Sequence, residues 1–277
     1  MKKKIIGLLF LAMMMTGILA ACGTKEKNDA GNQENNTENG GQPDVDNEQD
    51  ADKDEEESKT IIVGTEAGFA PYEYMEGNEV VGIDMDIAKA IADALGKELV
   101  IKNMDFDGAL MAVQNGTIDF VAAGVSVSED RQEVMDFSMD YVNSTEVVVV
   151  NKENPAVASL DDLTDKVIGV QQGNIADFYV EENIKAKKTK RYTKFAQAAQ
   201  DLLNGKIDCI VMDQYPAQEL VDSNEKLTIL DGTLFEDKYA IAIQKGNQEL
   251  LDQINKVIEQ LIEDGKIEEF TANHTSK

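Results

Sequence analysis

Two stretches of this chain follow one plan. FDGALMAVQNGTIDFVAAG (106–124) and FAQAAQDLLNGKIDCIVMD (195–213) each run from a phenylalanine through a helical pattern to an Asn-Gly stop, then through x-Ile-Asp into an apolar run. A helix-turn-strand unit used twice at this separation points to two lobes built alike. From Thr60 onward the remaining pattern agrees with that plan. TIIVGT, ELVIKNM, TIDFVAAG, STEVVVVN, KVIGVQ, KIDCIVMD, KLTIL and YAIAIQ read as strands, several apolar throughout, as in a parallel sheet covered on both faces. DIAKAIADAL, FDGALMAVQNG, FAQAAQDLLNG and NQELLDQINKVIEQLIEDG read as amphipathic helices, the last three closed by Asn-Gly or Asp-Gly. The class is α/β. Residues 60–277 are long for one doubly wound sheet but suit two lobes of ordinary domain size. Crossings are expected near 147–155, where VVVVNKENPAV leaves a strand, and near 236–242, where EDKYAIA enters one. Lobe 1 is then 60–149 and 240–277, and lobe 2 is 150–239.

Before the lobes comes a segment of a different kind. MKKK, the apolar stretch IIGLLFLAMMMTGILA and the ending LAAC resemble a bacterial lipoprotein signal with its lipobox. The resemblance implies a signal peptide at 1–21, cleavage before Cys22 and a lipid anchor with palmitate there, on the extracytoplasmic face of the cell membrane. An uncleaved membrane anchor is the competing reading, disfavoured by the short apolar span. Between Cys22 and residue 59 the only aliphatic residue larger than alanine is Val45 and there is no aromatic, so this acidic segment reads as a disordered tether.

Charge narrows the partners. The formal net charge is −27, which argues against nucleic acid. With Cys22 lipidated only Cys209 remains, inside the apolar run IDCIVM, which excludes a disulfide and reads as a buried core thiol. The single histidine, His274, gives metal chemistry little to work with, and no cofactor motif is present. The chain reads as a monomer.

GVSVSEDR (124–131) follows an apolar run and opens a helix. The chain has 26 basic residues, of which only Arg131 and Arg191 are arginine, so an arginine in a first helical turn, against the dipole, asks for a reason. A planar guanidinium grips a carboxylate with two hydrogen bonds, which lysine cannot do, and the adjacent helix start favours an anion. The bland alternative pairs Arg131 with Glu129, Asp130 or Glu133. Asp213 ends the strand IDCIVMD, where open α/β sheets place ligands; it also suits the N-cap of the next helix, and the two roles can coexist.

IIVGTEAGFAPYEYMEGNEVVGIDMDIAKAIADALG (61–96), MDFDGALMAVQNGTIDFVAAGVSVSEDRQEVMDFSMDY (104–141) and KVIGVQQGNIADFYVEE (166–182) are similar to the polar amino-acid solute-binding proteins of ABC importers, family 3. The resemblance implies a periplasmic-binding-protein-like fold of type II, whose lobes close over one free amino acid and deliver it to the permease. It assigns Arg131 to the ligand carboxylate, Asp213 to its ammonium, and Ser126 and Gly124 to the loop beside it. Phe69 and Phe106 cover the aliphatic portion, and Glu66 meets the side-chain end. Asn174 and Ile175 stand where the family uses Thr or Ser, so a hydroxyl contact is lost there while the amide of Ile175 can still reach the carboxylate.

Glu66 and Asp213 against Arg131 leave one negative charge once a zwitterion is bound, which leans toward a cationic side chain. Glutamine competes, since an amide can donate to Glu66 and Gln171 or Gln172 can add polar contacts. An enzyme of this fold, such as a dehydratase, is disfavoured by the absence of a Ser-His-Asp or Cys-His set. A sensing receptor is disfavoured by the absence of a second apolar span.

Overall fold

The computed structural model describes residues 59–275. The expected signal segment, Cys22 and nearly all of the acidic tether lie outside the described residues. In the first sheet β1 (Thr60–Thr65) lies between β5 (Glu98–Asn103) and β6 (Phe120–Val121), parallel to both. β7 (Met135–Phe137) and β14 (Ala242–Gln244) complete it, with β14 antiparallel to β6 and to β7. In the second sheet β9 (Val167–Gln171) lies between β10 (Lys188–Tyr192) and β11 (Cys209–Asp213), parallel to both. β8 (Val142–Asn151) pairs antiparallel with β11 on one edge and with β12 (Leu227–Ile229) and β13 (Phe235–Tyr239) on the other. A small antiparallel sheet of β2 (Gly68–Phe69), β3 (Glu73–Glu76) and β4 (Glu79–Val81) follows β1. The helices are α1 (Ile83–Leu95), α2 (Phe106–Gln114), α3 (Glu129–Val134), α4 (Ile175–Asn183), α5 (Phe195–Leu203), α6 (Gln214–Asp222), α7 (Gln248–Glu263) and α8 (Lys266–Thr275).

The repeated unit is one structural device used once in each sheet. Asp119 accepts the backbone N–H of Ile62 in the neighbouring segment at 2.6 Å, and Asp208 accepts that of Val167 at 2.7 Å. Each aspartate thus ties its unit to the strand next door, β1 or β9. The isoleucine before it needs a glycine on that strand: a Cβ on Gly64 would lie 2.4 Å from Ile118 Cδ1, and one on Gly169 would lie 2.6 Å from Ile207 Cδ1. The repeat is therefore a pair of segments, unit plus glycine-bearing strand, with close packing between them.

The unbroken apolar runs have a direct cause. In β8, Val147 and Val149 join the core that contains Phe195, Ala198 and Leu202 of α5, whereas Val148 and Val150 join the core that contains Ala176 and Val180 of α4. A strand covered on both faces has no polar side to alternate with. Burial on both faces does not require parallel pairing, however, and β8 is antiparallel to all its neighbours. TIDFVAAG is shorter as a strand than expected: only Phe120 and Val121 pair, while Ala122 and Ala123 continue buried.

The first crossing corrects the expected boundary. The chain leaves the first sheet after β7 and enters the second at Val142, so residues 142–149 belong to the second sheet rather than to lobe 1. The crossing near 147–155 was placed where the apolar run ends, but that run is the interior of β8. The return passes from β13 to β14 through Ala240 and Ile241. His274 of α8 makes 3.0 Å contacts with the Tyr74 hydroxyl and with Asp86 Oδ2, tying the last helix to β3 and α1. Cys209 is buried in β11.

Candidate functional site

Arg131 is the third residue of α3, whose N-cap Ser128 accepts its backbone N–H at 3.3 Å. Its side chain is only 6% exposed and makes its bonds to backbone carbonyls rather than to Glu129, Asp130 or Glu133. Nη1 donates to the Ser126 carbonyl at 2.6 Å and Nη2 to the Gly173 carbonyl at 2.7 Å, the latter reaching from the first sheet's side to the second's. The guanidinium lies over the Phe106 ring at 5.5 Å and near Phe178 at 6.0 Å. Burial brings its pKa down to about 10, which leaves it a cation at neutral pH.

Asp213 ends β11 and caps α6: Oδ1 accepts the Tyr215 N–H at 2.8 Å while Oδ2 accepts the Tyr239 hydroxyl at 2.8 Å. It is 1% exposed, and burial pushes its carboxyl up to about 7. Directly opposite in β8 stands Glu146, a residue the sequence reading passed over inside STEVVVV. Glu146 is 2% exposed and its Oε2 has no hydrogen-bond partner. Burial, then the charges of Asp213 and Asp237, raise its pKa well above the ordinary carboxylate range.

Six of the expected residues, Phe69, Phe106, Gly124, Ser126, Asn174 and Ile175, line one cavity of about 10 Å³ together with Glu146, Gln171 and Tyr239. Gly124, at φ +55°, donates its N–H to the buried Asp84 at 2.8 Å, and a Cβ there would lie 2.8 Å from the Phe69 ring. Ser126 donates to Asp237 Oδ2 at 2.5 Å. Asn174 is the N-cap of α4, accepting the Asp177 N–H at 3.0 Å, which explains an Asn at that position; Ile175 is the first helical residue. Phe69 stacks on Tyr72 at 5.7 Å and, across the cleft, on Phe195 at 5.9 Å. Phe106 and Phe195 open the two copies of the repeat, so the matching offset marked both; the sequence reading took only the first. A larger hollow of about 680 Å³, lined in part by Val127, Asn143 and Lys238, contains none of the expected residues. Converging charge, rather than volume, marks the site.

Glu66 is 1% exposed and faces the second sheet, where Gln171 Nε2 donates to its Oε2 at 3.1 Å and Lys194 Nζ forms an ion pair with its Oε1 at 3.3 Å. Burial raises the Glu66 pKa, and Lys194 opposes that shift. Lys194 overturns the simple charge count, because Glu66 already has a cation. Two further carboxylates, Glu146 and Asp237, enter the account on the other side. Lys194 carries no sequence signal that separates it from the surrounding Lys190 and Arg191.

A model of the family described as bacterial extracellular solute-binding proteins, family 3, matches residues 61–277. The arginine-binding extracellular protein ArtP of Bacillus subtilis is 30% identical over 217 residues, covering 76% of this chain and 84% of the relative. Among solved structures, the amino acid ABC transporter substrate-binding protein AbpA of Streptococcus pneumoniae, bound to L-arginine, has a TM-score of 0.75 at 31% identity and covers 81% of this chain and 96% of that one. An ancestral arginine-binding protein bound to glutamine has a TM-score of 0.74 at 38% identity, with 79% and 99% covered. The fold is that of the type II periplasmic-binding-protein-like α/β proteins.

Proposed function

This chain belongs to the bacterial extracellular solute-binding proteins, family 3, and on that premise we propose that it is the amino-acid-binding component of an ABC importer. Two lobes, one around each sheet, close over one free L-amino acid and deliver it to the permease. One observation carries the reading: Arg131 from the first sheet's side bonds Ser126 and Asp213 from the second bonds Tyr239, and Ser126 and Tyr239 line the same small cavity. Arg131 has N–H donors beyond the two it spends on carbonyls, enough for a carboxylate. Asp213 receives the ammonium. Cys22, at the end of the lipobox-like LAAC, anchors the protein as a monomeric lipoprotein outside the cell membrane after removal of residues 1–21.

A cavity of about 10 Å³ is room for roughly one water, so an amino acid enters only when the lobes part. Parting breaks the Arg131–Gly173 and Gln171–Glu66 bonds. A ligand then favours the closed form by its difference in affinity for the two arrangements, as in hinge-closing proteins.

Charge again leans toward a cationic ligand, by a different count. Glu66, Glu146, Asp213 and Asp237 face Arg131 and Lys194, an excess of negative charge that arginine, lysine or ornithine relieves. Glutamine is the second reading, favoured by the Lys194 that already serves Glu66. A thermal-shift screen of the free amino acids tests the proposal. At one hundred times Kd a ligand adds about 2.7 kcal/mol, which raises the melting temperature by roughly 5–10 °C for a chain of this size. No shift with any free amino acid overturns the reading.

A further inference from the structure

Glu146 has no assigned part in the site above, and its setting calls for one. Opposite pairing across β8 and β11 places its Cβ about 5 Å from that of Asp213, with both side chains on one face. Both Asp213 oxygens are engaged, one by Tyr215 and one by Tyr239. Glu146 Oε2 is unpartnered, and Glu146 lines the cavity that Gly124, Ser126 and Ile175 also line. Among the described residues no cation pairs with it: the two bonds Arg131 makes go to the carbonyls of Ser126 and Gly173, and Lys194 is at Glu66. The other titratable groups facing it, Asp237 and Tyr239 from β13, are themselves an acid and a phenol.

We propose that Glu146 and Asp213 form a two-carboxylate seat for the ligand's α-ammonium, with Glu146 supplying an unpartnered acceptor oxygen beside the already engaged oxygens of Asp213. The inference rests on the amino-acid reading of the site. Two buried carboxyls at this spacing do not both ionise at neutral pH, so the pair holds a proton until a cation arrives. Burial raises both groups in that direction, and the charge of Asp213 adds to the rise at Glu146. The ammonium enters as a cation, makes ionic hydrogen bonds to both carboxylates and displaces the proton to the buffer. Binding is then coupled to proton release, and ligands without an α-amine forfeit the seat.

The test is isothermal titration of the protein with L-arginine, L-glutamine and 5-guanidinopentanoate, which keeps arginine's side chain and carboxylate but has no α-amine. Titrations at pH 6.5 in two buffers of different ionisation enthalpy read the protons released. The expected result is net proton release on binding either amino acid, lost or much reduced in Glu146→Gln, with affinity for the amino acid falling about 10- to 100-fold as a charged hydrogen bond is removed. Affinity for 5-guanidinopentanoate should be the same in wild type and Glu146→Gln. Amino-acid affinity and proton release both unchanged in Glu146→Gln overturn this proposal alone. Failure of every free amino acid to bind the wild type overturns the amino-acid reading and this proposal with it. Thermal melts of Glu146→Gln and Glu146→Leu check folding, and proton release by the wild type tests the coupling without any substitution.

Discussion

Replacing Asp213 by asparagine should make the free protein more stable while crippling it as a binder. Asn caps a helix as well as Asp, so the bond from Tyr215 survives, and its amide can meet the Tyr239 hydroxyl. What disappears is the charge. Burial raises the Asp213 carboxyl from 3.8 to about 7, so the folded state holds its proton more tightly than the unfolded chain does. A carboxyl raised in this way contributes stability that is fully present below about pH 4 and is lost as pH rises through about 7. The shift of roughly three pKa units corresponds to about 4 kcal/mol of wild-type stability lost across that window. Asp213→Asn does not titrate and keeps it. Denaturant unfolding of the two ligand-free proteins at pH 4, 6 and 8 should therefore show a gap in favour of the variant that widens toward pH 8. At pH 8 this amounts to roughly 8 °C or more in melting temperature. Titration with L-arginine should show binding lost in the variant, the stability–function conflict expected where a site keeps an unneutralised charge. A gap that does not grow with pH, or a variant less stable than wild type at pH 8, refutes the reasoning.

Arg131→Lys should leave the circular dichroism spectrum intact and reduce amino-acid affinity by about 100-fold, since a point charge cannot replace a planar fork that also bridges Ser126 and Gly173. Unchanged affinity in calorimetry removes Arg131 from the site. Gly169→Ala places a methyl 2.6 Å from Ile207 Cδ1 and should cost about 1–3 kcal/mol. Ile207→Val deletes the clashing carbon, so the double variant should lose less than the sum of the single losses; strict additivity in denaturant unfolding shows that the contact does not govern the packing.

How much of this was legible depended on the range over which each signal acts. The repeat at 106–124 and 195–213 located both helix-strand units, and its Asp, Ile and Phe positions prove to be working parts of each copy. The first crossing was misplaced because Val142 begins a strand whose apolar interior looks like a strand of its own. Glu146 was visible as a lone acid within an apolar run, but nothing near it in sequence said that a second acid stands opposite. Lys194 was invisible in principle, one basic residue among several.

Periodicity, turns and caps are local properties, settled by residues within a helical turn or a strand, so the chain's class, its duplicated unit and the exceptional Arg131 could be read without a structure. Pairing of charges is not local. Glu66 meets Lys194 and Arg131 reaches Gly173 only because two sheets meet along one cleft, and Asp213 stands beside Glu146 only because β11 pairs with β8. The electrostatic balance of that cleft, on which ligand choice depends, is set by burial and by neighbours far apart in the chain, and tertiary structure alone decided both.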